Sequence, residues 1–170
     1  MACALTQDFT LDCRDAVGGV KEVYLIELGN INSVTESSGV VTAITKASGK
    51  IFRKYALIRE TSMAEEKLVG NRANGTVYYS QQLQIVLNKR QANTRNEIML
   101  LAQNLLAAVV IENTGKAFLY GRVSGLMLDA ADSPTGTAWG DRNGYTLTFT
   151  GNETALAPEV QASVITGLQS

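Results

Sequence analysis

The segment Thr76–Asn88 alternates apolar and polar side chains along its length, and this period constrains the fold more than any other feature. Side chains two positions apart lie on the same face of a strand, so the segment predicts a β-strand with one dry face. Gln81 interrupts the apolar face and Val86 interrupts the polar one. Strands usually have about five or six residues, so we expect this one to extend beyond the core. The apolar face carries Val77, Tyr79, Leu83, Ile85 and Leu87, and the polar face carries Tyr78, Ser80, Gln82, Gln84 and Asn88.

Other segments rich in β-branched, aromatic and aliphatic residues predict further strands between turn-forming residues. Residues 113–116 predict a hairpin turn, because glycine in the third place tolerates positive φ. Gly121 and Gly125, inside one predicted strand, indicate bulges or close backbone approach. The predicted strands are 6–15, 22–28, 40–45, 51–59 (joined to 40–45 by a hairpin turn at 47–50), 109–112, 117–128 and 145–150. The segments 29–39, 61–75 and 129–144 are predicted loops.

Residues 94–108 predict a single α-helix. Thr94 and Glu97 match a T-x-x-E capping box, in which each side chain bonds a free amide at the helix start. Apolar residues repeat at helical spacing and would pack against a sheet. The stripe consists of Ile98, Leu101, Ala102, Leu105, Ala108 and Val109, widened by Met99, Leu100 and Leu106. It forms either ordinary core or, in part, a subunit interface.

The length of 170 residues fits one domain with a sizeable core. We assign residues 1–151 to this β-rich domain and residues 152–170 to a loosely held C-terminal arm. Val164 and Ile165 of the arm are candidates for docking on a neighbouring molecule. Charged residues make up 18% of the chain, below the usual quarter, which indicates that part of the surface becomes covered.

Charge is distributed unevenly along the chain. Residues 46–95 contain ten basic and three acidic side chains, whereas the remainder contains five basic and thirteen acidic ones. A molecule with two oppositely charged parts can attract a copy of itself head to tail, and a mixed solvated surface is the alternative. The net charge of −1 argues against a general nucleic-acid-binding surface.

The two cysteines, Cys3 and Cys13, show no disulfide-framework or zinc spacing. We expect both to be small buried apolar residues in a reducing compartment. The first fifteen residues lack the features of a signal peptide, and the longest apolar run, 105–111, is too short to cross a bilayer. Synthesis and retention in the cytosol until assembly are therefore expected.

Residue patterns typical of catalysis or metal binding are scarce, and the chain has no histidine. The acidic pairs Glu65–Glu66 and Asp129–Asp132 lie on predicted loops without a His or Cys nearby, which favours a solvated face over an acid/base pair or metal site. The glycine-bearing segment 70–75 leads into a strand, whereas a phosphate cradle needs a helix start. Ser124 lacks a base for hydrolase chemistry. We predict no catalytic, cofactor or metal site, and a protein that is not an enzyme.

The lone tryptophan, Trp139, has two possible roles. It either anchors its own loop or forms a subunit contact.

The order of these elements resembles the tail-tube (major tail) proteins of tailed bacteriophages. The similarity runs over residues 21–151 and rests mainly on residues 113–151, NTGKAFLYGRVSGLMLDAADSPTGTAWGDRNGYTLTFTG. It implies a mainly β fold of two packed antiparallel sheets, sandwich- or barrel-like, with a flanking helix and an extended loop. The same fold serves in injection and type VI secretion systems.

The resemblance also implies a function. Subunits would form hexameric rings that stack into a tube conducting the genome into the host, in a virion assembled in the host cytoplasm. Partners would be further copies and other tail or connector proteins; DNA would pass without specific binding, and no membrane would be involved. The polar faces of segments 78–88 and 146–150 are candidates for the lumen. The assembly-loop candidates are Met63, Glu65, Glu66, Lys67, Leu68, Arg72 and Asn74.

Three alternatives remain open. The chain could form a single ring as a baseplate, distal-tail or tail-completion protein, or it could be a secreted tube protein of an injection system. The third alternative, from a different class, is a small β-domain that binds a ligand or carbohydrate.

Overall fold

The fold is known from a computed structural model that describes residues 5, 7–10, 13–14 and 16–170. The predicted first strand, 6–15, is wrong for its described residues, which form no strand and leave Phe9 almost wholly exposed. Cys13 is also exposed, contrary to the expectation of burial, and Cys3 lies outside the described residues.

Eleven strands and two α-helices make up the described chain. The strands are β1 Val20–Glu27, β2 Ile31–Ser37, β3 Val40–Lys46, β4 Arg53–Ala56, β5 Met63–Asn71, β6 Thr76–Asn88, β7 Leu106–Glu112, β8 Ala117–Tyr120, β9 Met127–Asp132, β10 Gly144–Glu153 and β11 Glu159–Val160. The helices are α1 Ala92–Gln103 and α2 Ala162–Thr166, and a 3₁₀ turn occupies Leu28–Asn30.

The strands form two packed sheets, so the predicted mainly β fold class is confirmed. Sheet A has seven strands in the order β2-β3-β11-β8-β7-β1-β4. Sheet B has four strands in the order β5-β6-β10-β9. All pairings are antiparallel except that of β11 with β3.

Apolar side chains fill both sides of sheet A. Between the sheets, Leu25 and Val110 of sheet A pack with Ile85 and Phe149 of sheet B in one cluster. On the opposite face of sheet A, a second cluster contains Phe52. Strands β1 and β7 contribute alternate residues to both clusters, which explains why they are almost continuously buried.

The C-terminal segment covers this second face and is not a loosely held arm. Strand β11 lies between β3 and β8, and Leu168 is 1% exposed. The backbone amide of Phe52 donates to the carbonyl of Leu168 at 3.0 Å. Val164 and Ile165, predicted to dock on a neighbour, are partly buried against the chain's own core.

The helix is shorter than predicted, because α1 ends at Gln103 and β7 begins at Leu106. The predicted capping box is wrong: Gln91 is the N-cap, without a side-chain capping bond, and Thr94 lies inside the first turn. Glu97 instead accepts a hydrogen bond from the Tyr55 hydroxyl at 3.3 Å.

Three predictions on the N-terminal half also need correction. The predicted loop 29–39 contains β2, which pairs with β3 through a turn at Ser38 and Gly39. The predicted hairpin at 47–50 does not form, because β3 and β4 pair with different strands. Strand β4 is shorter than the predicted 51–59.

The segment 61–75, predicted as an irregular extended loop, is mostly strand. Strand β5 pairs with β6 over its whole length, from Met63 opposite Gln84 to Asn71 opposite Thr76. Its side chains are half-buried or exposed throughout, so no alternation of apolar residues marked it in the sequence.

The predicted strand 117–128 divides into β8 in sheet A and the start of β9 in sheet B. Gly121, with φ of 65°, makes this change of sheet possible. A Cβ at that position would lie 2.7 Å from the carbonyl oxygen of Leu106, so close backbone approach is confirmed there. The hairpin turn at 113–116 is also confirmed, between β7 and β8.

Candidate assembly surfaces

Uncharged polar side chains predominate on the two central strands, β6 and β10, of the outer face of sheet B. Alternation turns Leu83, Ile85, Leu147 and Phe149 into the core, and the residues between them face the other way. The register of β6 with β10 then brings the two predicted polar faces together as one surface. The cross-strand pairs are Thr148 with Gln84, Thr150 with Gln82 and Asn152 with Ser80.

Charged side chains are absent from the centre of this surface. Strand β6 contains no charged residue, and the one charged residue of β10, Glu153, is 5% exposed. At the β5 edge, Lys67 forms a salt bridge with Glu65 at 2.8 Å. The outer face therefore presents hydroxyl and amide groups, with no unpaired cation on its two central strands.

The β5–β6 hairpin extends beyond the core, so the side that faces the core near Gln81 is exposed to solvent nearer the turn. Leu68 lies opposite Tyr79, and Gly70 lies opposite Val77. Leu68 is 64% exposed and Val77 is 62% exposed, although both share the side that buries Gln81. The expected extension of this strand beyond the core is confirmed, and it leaves an apolar patch open to solvent.

The other predicted assembly residues lie along the same hairpin. Met63 is 42% exposed at the start of β5. Arg72 and Asn74 are exposed in the turn, where the Asn71 side chain accepts hydrogen bonds from the amides of Ala73 and Asn74. These candidates are spread along the hairpin from its start to its turn, with Glu65 and Lys67 on the outer side and Glu66 and Leu68 on the core-facing side.

Glu66 belongs to a buried polar network centred on Gln81. The Gln81 side chain donates to Glu66 Oε2 at 3.1 Å and accepts from the Gly121 amide at 2.8 Å. Glu66 Oε2 also accepts from the Ala157 amide at 2.9 Å. The network joins sheet B to the turn after β8 and to the C-terminal segment. In the sequence, this network was marked by Gln81, the one polar residue on the predicted apolar face of β6.

The buried carboxylate of Glu153 holds the connection between the sheets. Glu153 Oε1 accepts hydrogen bonds from the amides of Val123, Ser124 and Gly125, at 3.0, 2.8 and 3.3 Å. Arg122 forms a salt bridge with Glu36. Ser124 therefore belongs to a structural turn, and sequence reasoning missed Glu153 because nothing in its strand pattern marks it.

Trp139 is wholly exposed, so it does not anchor its own loop. The loop is held by Asp141, whose carboxylate accepts from the amides of Thr137 and Ala138, each at 2.8 Å. These backbone hydrogen bonds lower the pKa of Asp141 below its usual value.

A groove of about 260 Å³ lies between α1, β1, β4 and the turn after β3. Tyr55 and Glu97 meet at one side of the groove. Burial and the adjacent Glu97 carboxylate raise the pKa of the Tyr55 hydroxyl, which therefore stays protonated and donates to Glu97.

The described residues include no group of three His, Cys, Asp or Glu side chains able to hold a metal ion. The predicted loop 129–144 is wrong at its start, because residues 129–132 belong to β9 at the edge of sheet B, where Asp129 and Asp132 are exposed. No helix in the described part of the chain is long and apolar enough to cross a membrane. Comparisons of the chain with protein-family models, curated proteins and solved structures gave no match.

Proposed function

We propose that the chain is a structural subunit whose copies form rings, six to a ring as in the family its sequence resembles, that stack into a phage tail tube. The two uncharged central strands of the outer face of sheet B, β6 and β10, carry the proposal. In a closed ring this face would line the lumen, and DNA would pass along it into the host.

The chemistry of the face suits a conduit. Proteins hold nucleic acid mainly through Lys and Arg contacts to phosphates, and each such contact strengthens binding. The two central strands, with residues such as Gln84 and Thr148, carry no cation, and at their borders Lys67 is paired with Glu65 and the Arg142 guanidinium is bonded to the Thr146 hydroxyl. DNA would be weakly held and free to slide.

The exposed apolar patch of the hairpin supports self-assembly. Leu68 and Val77 continue the core-facing side of the β5–β6 hairpin, so a neighbouring subunit could cover them much as sheet A covers the rest. Apolar area removed from water contributes about 25 cal/mol per Å². Burial of this patch would therefore favour association.

The edges of sheet B support ring closure. Strands β5 and β9 each pair with one neighbour in this sheet, which leaves one backbone edge of each available. Joining β5 of one subunit to β9 of the next would satisfy both edges around a ring. Other tail or connector proteins would meet the ends of the tube, and the location would be the virion tail, assembled in the host cytoplasm.

Placing lysines on the outer face tests the conduit role. We expect wild-type assemblies to retain no duplex DNA at physiological salt. Assemblies of the double variant Gln84→Lys/Thr148→Lys should retain it, because every subunit of every ring would add lysine contacts to the DNA phosphates. Added salt should release this DNA. The variant Ala73→Lys/Asn74→Lys, in the exposed hairpin turn, is the matched control, because it adds the same two positive charges away from this face. DNA retention by the wild type equal to that of the double variant would contradict the lumen assignment.

The purified protein also distinguishes the three alternative functions, two of them related to a tail tube and one of a different class. A single ring that never stacks would favour a baseplate or completion protein. Tubes of a secreted injection system would have the same surface but no genome to pass. A stable monomer that binds a small ligand in the α1 groove would favour the binding module instead.

A further inference from the structure

Exposed apolar side chains lie at both edges of sheet B. At the β5 edge, Leu68 is 64% exposed and shares its side of the hairpin with Val77; we call these two residues the hairpin patch. Beside the β9 edge, Leu105 is 47% exposed. Apolar surface of this kind is typical of sites that a partner covers.

Leu105 lies where the chain passes from the edge of sheet B into sheet A. Leu106 and Leu126 exchange backbone hydrogen bonds of 2.9 and 2.7 Å, so the start of β7 borders the strand edge just before β9. The Leu28 amide donates to the Leu105 carbonyl at 2.8 Å, which fixes this position. A Cβ on Gly125 would lie 3.2 Å from Leu105 Cβ and 3.2 Å from Leu28 Cδ2. We call Leu28, Leu105 and Gly125 the corner patch.

The register of sheet B places the two patches at nearly the same height along the strands. A Cβ on Gly151 would lie 2.5 Å from the carbonyl oxygen of Gly125, so these two glycines are level with each other. Gly151 pairs with Gln81, and Gln81 pairs with Glu66 of β5. Leu68 lies two residues beyond Glu66, which is about 7 Å along a strand.

The strand directions allow one copy to continue the sheet of the next. Sheet B is antiparallel throughout, so its two edge strands, β5 and β9, run in opposite directions. Copies that keep one orientation around a ring would therefore pair β9 of one with β5 of the next in antiparallel fashion. Joined without an axial offset, this edge would bring the hairpin patch of one copy beside the corner patch of the other.

Backbone pairing alone would leave such a joint without an apolar centre. Residues 129–132 of β9 are two aspartates and two alanines, and the outer side of β5 carries Glu65 and Lys67. Stable interfaces have a central region that is apolar and depleted of charge. The hairpin patch and the corner patch would supply this region.

We propose that Leu68 of one copy packs against Leu105 in the corner patch of the next copy. The inference rests on the proposed ring and names the side chains that join neighbouring subunits within it. The contact is heterologous, because the two patches lie at opposite edges of one sheet. A closed ring would cover both patches on every copy.

Charge substitutions test this contact through the concentration at which rings form, measured by light scattering and electron microscopy. Leu68→Glu should raise this concentration at least about tenfold, because the burial of a leucine side chain is lost. Leu105→Lys should have a similar effect. The double variant Leu68→Glu/Leu105→Lys should assemble at a lower concentration than either single variant, because opposite charges would meet across the joint.

The matched control is Leu68→Glu/Val17→Lys, which carries the same two charges. Val17 is exposed just before β1, whereas Leu28 of the corner patch follows the other end of that strand. We expect the control to assemble no better than Leu68→Glu alone. Circular dichroism of each variant identifies any loss of association that comes from unfolding.

The outcomes separate this inference from the proposed function. Leu68→Glu rings that form at the wild-type concentration, whether or not they stack, would overturn the contact and leave the proposed function standing. A double variant Leu68→Glu/Leu105→Lys that assembles no better than the control would overturn Leu105 as the partner residue. A wild-type chain that stays monomeric at every concentration would overturn both proposals.

Discussion

Leucine has a shape similar to that of glutamine, yet we expect the substitution Gln81→Leu to lower the free energy of unfolding considerably. The substitution keeps the side chain's approximate volume but removes the acceptor of the Gly121 amide and a donor to Glu66. Gln81 is 1% exposed and its bond to the Gly121 amide is buried, so water cannot replace that acceptor, whereas the Glu66 carboxylate is only partly buried. An unpaired buried amide costs about 1–3 kcal/mol, and a lost hydrogen bond to a charged group costs about 1.5–3 kcal/mol.

Leucine recovers part of this loss through apolar burial, so the expected net destabilisation is about 2–4 kcal/mol. Urea unfolding at neutral pH measures it as a lower midpoint with an unchanged m-value. Gln84→Leu, on the outer face of the same strand, is the matched control and should change stability by less than about 0.5 kcal/mol. If Gln81→Leu unfolds at the same urea concentration as the wild type, the network does not hold the sheets together as we argue.

Two further predictions concern a backbone position and an ion pair. Gly121→Ala should lower the free energy of unfolding by at least about 1–3 kcal/mol, because alanine disfavours φ of 65° and its Cβ would meet the carbonyl of Leu106. Gly140→Ala, at a position where a Cβ meets nothing, is the control. Equal urea midpoints for the two variants would contradict the close approach at Gly121. The hydrogen bond from Lys54, at 2.9 Å, lowers the pKa of Glu22 below its usual 4.5, so this pair contributes stability above pH 4.5 that disappears as the pH falls through the folded-state pKa. Glu22→Gln should therefore be less stable than the wild type near neutral pH and equal to it in strong acid; a difference that persists unchanged in acid would contradict the assignment.

The strands with one buried face could be predicted from the sequence. Strand β6 has the bounds expected from its alternation, and the alternating residues 145–150 lie within β10. The polar residue that broke the pattern, Gln81, proved to be the centre of a buried network. Local alternation determines these elements, because each residue's face follows from its neighbours two positions away.

Elements whose burial depends on distant parts of the chain could not be predicted in this way. Leu106 and Ala108 fit a helical stripe, yet they belong to β7, which is buried on both faces and therefore shows no period of two. Strand β5 is exposed, so its pairing with β6 leaves no apolar signal. The two-residue strand β11 is too short to show any period, and it is held by pairing with β3 and β8.

The candidate surfaces were predicted in part. The outer face of sheet B followed from two alternating segments, and the structure places them side by side. The groove beneath α1 could not be foreseen, because it depends on where the helix ends and which strands it crosses. The exposure of Trp139 likewise depends on the path of its loop.

Negative-stain electron microscopy of the purified chain, with light scattering of the same sample across a range of concentrations, shows whether the subunits form a tube. We expect hollow tubes of uniform width, or six-fold rings that stack into them as the concentration rises. A single species of 18.2 kDa at every concentration, with no rings or tubes in the images, would contradict it.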